Sequence, residues 1–379
     1  MKTLVKLAAG LVAGVVLAGG VAAAFGAEWG RGEDERETMR IAMLSDGGSF
    51  SDQSYNQSCR EGLEELMFTG APVYVQFYEP LAEEQFAKQM AALAERNYRV
   101  IIGIGYGMSK ALGQVAKQYP KTFFVGVDSV DVELQDNIQL LAFQVDECAF
   151  PAGYLAAAWA VSKDPEDPVV GWVGGKDVDS VNQFLVAYVN GVKLYNERKG
   201  QNVRVVGGYA GSFTRAASGG TAARKAVKAG ADVIFAVAGA AGRGALEATK
   251  AAGKWAIGVD TDQFYMVPEA DDILLTSCVK RMGRAVRDNI QGMLEGQFWG
   301  GTTYVGNLEN HGIGLAPFHH FEKDIPEELR RELLDIQRDI LNGRLSTGWA
   351  PGTGVPVEAG GTGGAAGTAR IEGCGAVEE

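Results

Sequence analysis

Between Met39 and Trp349 the chain alternates two hydrophobic patterns. Short and almost continuously apolar runs begin at Ile41 (IAMLS), Val73 (VYVQFY), Val100 (VIIGIG), Thr122 (TFFVGVD) and Ile138 (IQLLAF). Between them, LAEEQFAKQMAALAER from Leu81 and SKALGQVAKQY from Ser109 carry apolar residues three and four apart. The runs predict strands, and the three-to-four spacing predicts amphipathic helices. The alternation resumes with VVGWVG from Val169, VRVVGGY from Val203, DVIFAVAG from Asp232, WAIGVD from Trp255 and ILLTSCVK from Ile273. Strands that are apolar throughout and separated by helices predict parallel sheets covered on both faces. The fold class is α/β.

A weak internal repeat divides this pattern. Arg99–Ser129 and Asp232–Thr261 each read strand, glycine-bearing turn, helix, and a strand ending Gly-Val-Asp, aligned with small gaps. Two similar α/β halves are therefore expected in one chain. Ligands of open parallel sheets sit beyond the carboxyl ends of the strands. Asp46, Asp128 and Asp260 all follow strand ends, so two facing halves would bring these acids to one cleft.

The segment SDGGSFSDQSYNQSCREG from Ser45 leaves the first strand and enters a helix that starts near Ser54. Tyr55, Cys59, Leu63 and Leu66 share one face of it. Asp52 or Ser54 can cap that helix; capping suits Asp52, and Asp46 is the ligand candidate. Tyr55 fits core packing and ligand stacking equally well. GIGYGMSK from Gly103 has G-x-G-x-G rather than dinucleotide spacing and reads as a tight strand-to-helix turn. AGAAGRG from Ala238, with Gly239 in it, is the matching turn of the second half, where backbone amides can approach a ligand. GSFTR from Gly211 exposes Phe213 at another strand end. Lys280 closes an apolar strand; buried, it needs a partner, which Asp260 or a ligand hydroxyl could supply. Exposed on a crossover, it needs none.

Composition bounds the rest. The chain has 379 residues, 46% of them hydrophobic, and a net charge of −12, which excludes a nucleic-acid backbone as the main partner. Lys2 and Lys6, an apolar run from Leu7 to about Leu17 and then small residues make residues 1–26 a secretory signal; an uncleaved anchor is the alternative. Residues 27–38 form a charged spacer. Residues 350–379 are a glycine-rich tail without periodicity, expected to be disordered. Cys59, Cys148, Cys278 and Cys374 have no short pair spacing, so neither a zinc ribbon nor a disulfide framework is legible. The three histidines, His311, His319 and His320, lack ligand spacing, and no nucleophile elbow or zinc helix occurs. No catalytic residue, metal site or cofactor is expected, and the protein is not read as an enzyme.

The segments SDGGSFSDQSYNQSCREGLEEL, GWVGGKDVDSVNQFLVAYVNGVK, GSF, AGAAGRGALEATK, WAIGVDTDQ and TSCVKRMGRAVRDNIQGMLEGQFWGG together resemble the basic membrane protein family, substrate-binding proteins of ABC transporters that include nucleoside-binding lipoproteins. The similarity runs in order from Arg40 to about Leu315. It implies a type I periplasmic-binding-protein fold, two doubly wound parallel-sheet lobes joined by three crossovers. Lobe 1 is then 39–145 plus 281–300, and lobe 2 is 146–280 plus 301–349. It also implies that a nucleoside such as guanosine, inosine or adenosine stacks between aromatic rings while acids, an amide and a lysine hold its polar groups. Carried over by position, the ligand-binding set is Asp46, Tyr55, Asn56, Asp128, Phe213, Gly239, Asp260 and Lys280. The implied partners are an ABC permease and its ATPase, with the protein monomeric and exported to the periplasm or the outer face of the cell membrane. A sensor of the same fold working without a permease is the alternative. Three features depart from the family pattern. Tyr55 replaces the usual Phe, Arg215 stands where an acid is common, and no lipid-modified cysteine follows the signal.

Overall fold

The computed structural model describes residues 38–79 and 82–349 together with the short strand Gly375–Ala376. The predicted signal, nearly all of the spacer and the rest of the tail lie outside the described residues. In chain order the elements are β1 Met39–Leu44, α1 Tyr55–Phe68, β2 Val73–Tyr78, α2 Phe86–Glu95, β3 Val100–Ile104, α3 Ser109–Gln118, β4 Phe123–Val127 and β5 Ile138–Phe143. The second half follows with α4 Asp146–Lys163, β6 Val169–Gly174, α5 Asp179–Lys199, β7 Arg204–Tyr209, α6 Ala216–Lys228, β8 Val233–Val237, α7 Ala240–Ala251, β9 Trp255–Asp260, α8 Gln263–Met266 and β10 Leu274–Lys280. The chain closes with α9 Met282–Leu294, β11 Thr302–Gly306, β12 Ile313–Leu315, α10 Glu327–Leu341 and β13 Gly375–Ala376.

These strands form two sheets. The first runs β2-β1-β3-β4-β5-β11 and is parallel throughout. The second runs β13-β7-β6-β8-β9-β10-β12, parallel except where β12 lies antiparallel to β10. Each sheet carries the same strand order for its first five strands, and the repeated segments fall on β3-α3-β4 and β8-α7-β9. The sequence repeat is therefore a structural one. One apolar layer lies between the first sheet and α2 and α3, another between the second sheet and α6 and α7, and a third spans both halves. Helices meet closely where glycines remove side chains. A Cβ on Gly62 of α1 would lie 2.0 Å from the Gly283 carbonyl oxygen of α9, and one on Gly153 of α4 would lie 1.9 Å from that of Tyr188 in α5.

The chain crosses between sheets three times, after β5, after β10 and after β11. Two stretches depart from the sequence expectation; Gly375–Ala376, in the tail expected to be disordered, lies parallel to β7 at the edge of the second sheet. Thr302–Gly306, expected with lobe 2, pairs with β5 in the first sheet, Thr302 opposite Gln139 and Gly306 opposite Phe143. The free edge of β5 accepts it, so the third crossing comes after Gly306 rather than near Gly301. The three crossings are strapped together by Gln144 N–H to the Gly306 carbonyl at 2.8 Å and Arg281 N–H to the Gly312 carbonyl at 2.9 Å. Cys59, Cys148 and Cys278 are buried free thiols. No helix of the described residues is long and apolar enough to cross a membrane.

Candidate functional site

The strand ends of both sheets face one another across the crossings. β4 and β9 end in the same way, with Asp128 at φ 53° and Asp260 at φ 66°. Both are in the left-handed region, which a non-glycine residue enters only at some cost and Asp more readily than most. The turn lifts each carboxylate out of the strand line into the space between the sheets.

Asp128 accepts a hydrogen bond from the Tyr55 hydroxyl at 2.9 Å and is ion-paired with Lys280. Their side chains are 10% and 4% exposed, so this is a buried cross-sheet pair. Lys280 also stands 5.4 Å from the Tyr55 ring centroid and 5.1 Å from that of Phe143. The partner proposed for it from sequence, Asp260, instead accepts from the Ser54 hydroxyl at 2.9 Å. The reason is register: Asp260 lies beside Val279 on the neighbouring strand, and Lys280 is one residue further on, at the crossing to lobe 1. Burial pushes the Asp260 carboxyl up to about 6, against the opposing pull of Lys280 and the Ser54 bond.

The loop after β1 is organised by Asp52. Its carboxylate accepts from the backbone N–H of Ser54, Asn56 and Gln57 at 3.0, 2.9 and 3.1 Å, and from Asn56 Nδ2 at 3.0 Å. Asp52 is thus the cap of α1, as its position predicts. Because Asp52 does the capping, the Ser54 hydroxyl at the helix start is free to reach Asp260 in the other half. Asn56 is buried, and its Oδ1 has no hydrogen-bond partner among the described residues. Asp46 sits against Gly105, where a Cβ would approach its carboxylate to 2.2 Å. Burial pushes the Asp46 carboxyl up to about 6; Asp52 adds to the rise, while backbone N–H groups and Lys176 oppose it.

Lobe 2 contributes Phe213 and Gly239. The Gly239 Cα carries φ 53°, and a Cβ there would lie 3.3 Å from the Phe213 carbonyl oxygen. That carbonyl accepts the Ala241 N–H at 3.0 Å, tying the GSF loop to the start of α7. The structure joins Tyr55, Asp128 and Lys280 by direct contacts, links Asn56 to the loop of Asp46 through Asp52, and brings Asp260 to the start of α1 through Ser54. Phe213 and Gly239 form a separate pair on the opposite wall. An open cavity of about 250 Å³ between α1 and the β10–α9 turn reaches Asp260 and Lys280 but not the other six.

Besides the Lys280–Asp128 pair, sequence reasoning missed two contacts between the halves. One is Ser54 to Asp260; the other is Arg243 Nη1 donating to Gln53 Oε1 at 2.8 Å. The first had a signal: two capping residues for one helix start, of which one is spare. The second had none. Arg215 remains exposed at the start of α6. His319 stacks on Phe264 at 3.9 Å between ring centroids and contacts Asp262 at 2.8 Å.

Comparison with known proteins agrees with this architecture. The family model described as "ABC transporter substrate-binding protein PnrA-like" matches residues 39–348. The "ABC transporter nucleoside-binding protein BmpA" of Lactococcus lactis subsp. cremoris is 30% identical over 326 residues, covering 81% of this chain and 88% of that protein. "Basic membrane protein A1" of Borrelia garinii subsp. bavariensis is 30% identical over 321 residues, covering 83% and 89%. Among solved structures, an ABC transporter solute-binding protein from Aeropyrum pernix superposes with a TM-score of 0.76 at 25% identity, covering 81% of this chain and 92% of that one. With strand order, crossings and a family match over nearly the whole described region in agreement, this chain belongs to the PnrA-like family of ABC transporter substrate-binding proteins.

Proposed function

We propose that this protein captures a purine nucleoside between its lobes outside the cytoplasm and delivers it, chemically unchanged, to an ABC permease and its ATPase. The observation that carries this reading is the buried Asp128–Lys280 pair beside the Tyr55 ring, with Asp260 within the field of both charges. Buried carboxylates are strong acceptors for vicinal hydroxyls, and an ammonium between them donates to the same sugar. Tyr55 from lobe 1 and Phe213 from lobe 2 supply the aromatic faces for a base. Asp46 and Asn56 then meet its polar edge, and Gly239 lets the backbone of lobe 2 approach.

Charge sets the class more narrowly. The acids Asp46, Asp52, Asp128 and Asp260 outnumber Lys176 and Lys280, so the cleft favours a neutral nucleoside over a phosphorylated one. The Ser54–Asp260 bond occupies an acceptor that a ribose hydroxyl would use. Exchange of that bond for ligand bonds couples occupancy to lobe closure, which is the state a permease reads. The leader exports the protein, which acts as a monomer at the outer face of the cell membrane.

Mass spectrometry of ligand released from denatured protein, followed by calorimetric titration with guanosine, inosine, adenosine and ribose, tests this. Nucleosides are expected to bind far more tightly than ribose. Binding of ribose alone, or of no nucleoside, would sink the proposal.

A further inference from the structure

Lys176 follows Gly174–Gly175 at the carboxyl end of β6, and its side chain is exposed. A Cβ on Gly175 would lie 2.2 Å from the Phe213 ring, so that ring packs directly on the Gly175 backbone. The Lys176 ammonium stands 5.9 Å from the centroid of the same ring. Across the cleft its charge reaches Asp46 and opposes the upward pull of burial on that carboxyl. Among the described residues the ammonium has no salt-bridge partner. A cation over an aromatic ring, within electrostatic reach of the half-buried Asp46 and without a salt-bridge partner among the described residues, is placed to meet a ligand.

We propose that Lys176 determines specificity by donating a hydrogen bond to the 6-oxo oxygen of a purine seated on Phe213, while Asp46 accepts from the neighbouring N1–H. This rests on the nucleoside reading above and extends it to a choice among purines. An ammonium can only donate, and an ionised carboxylate can only accept. The 6-oxopurine edge offers an acceptor at O6 directly beside a donor at N1, and a further acceptor at N7. Adenine turns a donor toward the ammonium at position 6 instead. Inosine and guanosine are therefore preferred to adenosine. A site built around a polar partner rejects the analogue that lacks it, and a charge-assisted bond of this kind corresponds to roughly ten- to hundredfold in affinity.

The test is a cycle of protein and ligand changes by calorimetric titration of the full chain. Wild type, Lys176→Met and Lys176→Arg are each titrated with inosine, adenosine and purine riboside, which lacks the 6-oxo group. Wild type is expected to prefer inosine to purine riboside by roughly ten- to hundredfold. Lys176→Met should weaken inosine about tenfold more than purine riboside, leaving the share of the preference that the Asp46 bond to N1–H supplies, and Lys176→Arg should retain most of the wild-type preference. Equal weakening of inosine and purine riboside in Lys176→Met, or no weakening, overturns the inference, as does tighter binding of adenosine than inosine by wild type. Failure of wild type to bind any of the three would overturn the nucleoside reading itself, a result distinguishable from the others. Because Lys176 is exposed, an unchanged unfolding midpoint in the variants serves as the control for folding.

Discussion

Replacing Lys280 by Met should destabilise the protein far more than replacing its partner Asp128 by Asn. Both groups are nearly buried, at 4% and 10% side-chain exposure. Removing one member of a buried pair leaves the other charged and uncompensated, which costs about 3–5 kcal/mol. In Lys280→Met the Asp128 carboxylate keeps the Tyr55 hydroxyl bond, so the lower end, about 3 kcal/mol, is expected. In Asp128→Asn the ammonium remains within the field of Asp260, which lies close enough for Lys280 to lower its pKa. That variant should lose about 1.5 kcal/mol. The double variant removes both charges and should lose about 2 kcal/mol, so the two changes couple by about 2.5 kcal/mol. Urea unfolding monitored by fluorescence and circular dichroism, with slopes compared across the four proteins, measures these differences. Additivity of the two single changes within about 0.5 kcal/mol would refute the buried pair as the organising contact between the sheets.

Asp260→Ala is expected to weaken nucleoside binding at least about a hundredfold, by removing bonds to ribose hydroxyls of about 1.5–3 kcal/mol each. Asp52→Ala should instead lose about 2 kcal/mol of stability, since three backbone N–H groups at the start of α1 lose their acceptor; calorimetry beside thermal unfolding separates the two, and the reverse outcome would mean the acids have exchanged roles. Affinity should also fall on acidification. Burial raises the Asp260 carboxyl from 3.8 to about 6, so its contribution to fold stability is fully present below 3.8 and is lost as pH rises through about 6. A ligand that bonds to the ionised form reverses that preference and displaces a proton; with the Asp46 carboxyl also raised to about 6, binding should weaken at least about tenfold per pH unit below 6. Titrations at several pH values, in buffers of differing ionisation enthalpy, check this; a flat profile across that range would exclude Asp260 as an ionised ligand contact.

Much of the architecture was legible in the one-dimensional pattern. Whether a strand is covered on one face or two is written in its own apolar run, and the helix period is written in residues three and four apart. Hence every strand read from sequence, from Met39–Leu44 to Leu274–Lys280, is present in the order expected. The carboxyl ends were legible for the same reason. Asp46, Asp128 and Asp260 each follow an apolar run, and the Gly-Val-Asp ending of two runs marked equivalent points of two halves. Asp52 could be recognised as a cap because a helix start and its acceptor lie within a few residues of each other.

What the tertiary structure decided concerns partners far apart in the chain. Lys280 pairs with Asp128 rather than Asp260, Ser54 bonds across to Asp260, and Gln53 receives Arg243. Each choice depends on how one sheet is turned against the other, and on strand register to a single residue. Thr302–Gly306 joined the first sheet for a similar reason: its pattern specifies a strand, but the free edge it finds is a property of the assembled sheet. Local periodicity encodes an element and its faces through neighbours a few residues away. The contact between two elements is selected by competition among all the edges and charges that folding brings within reach, and that competition exists only once the chain has closed on itself.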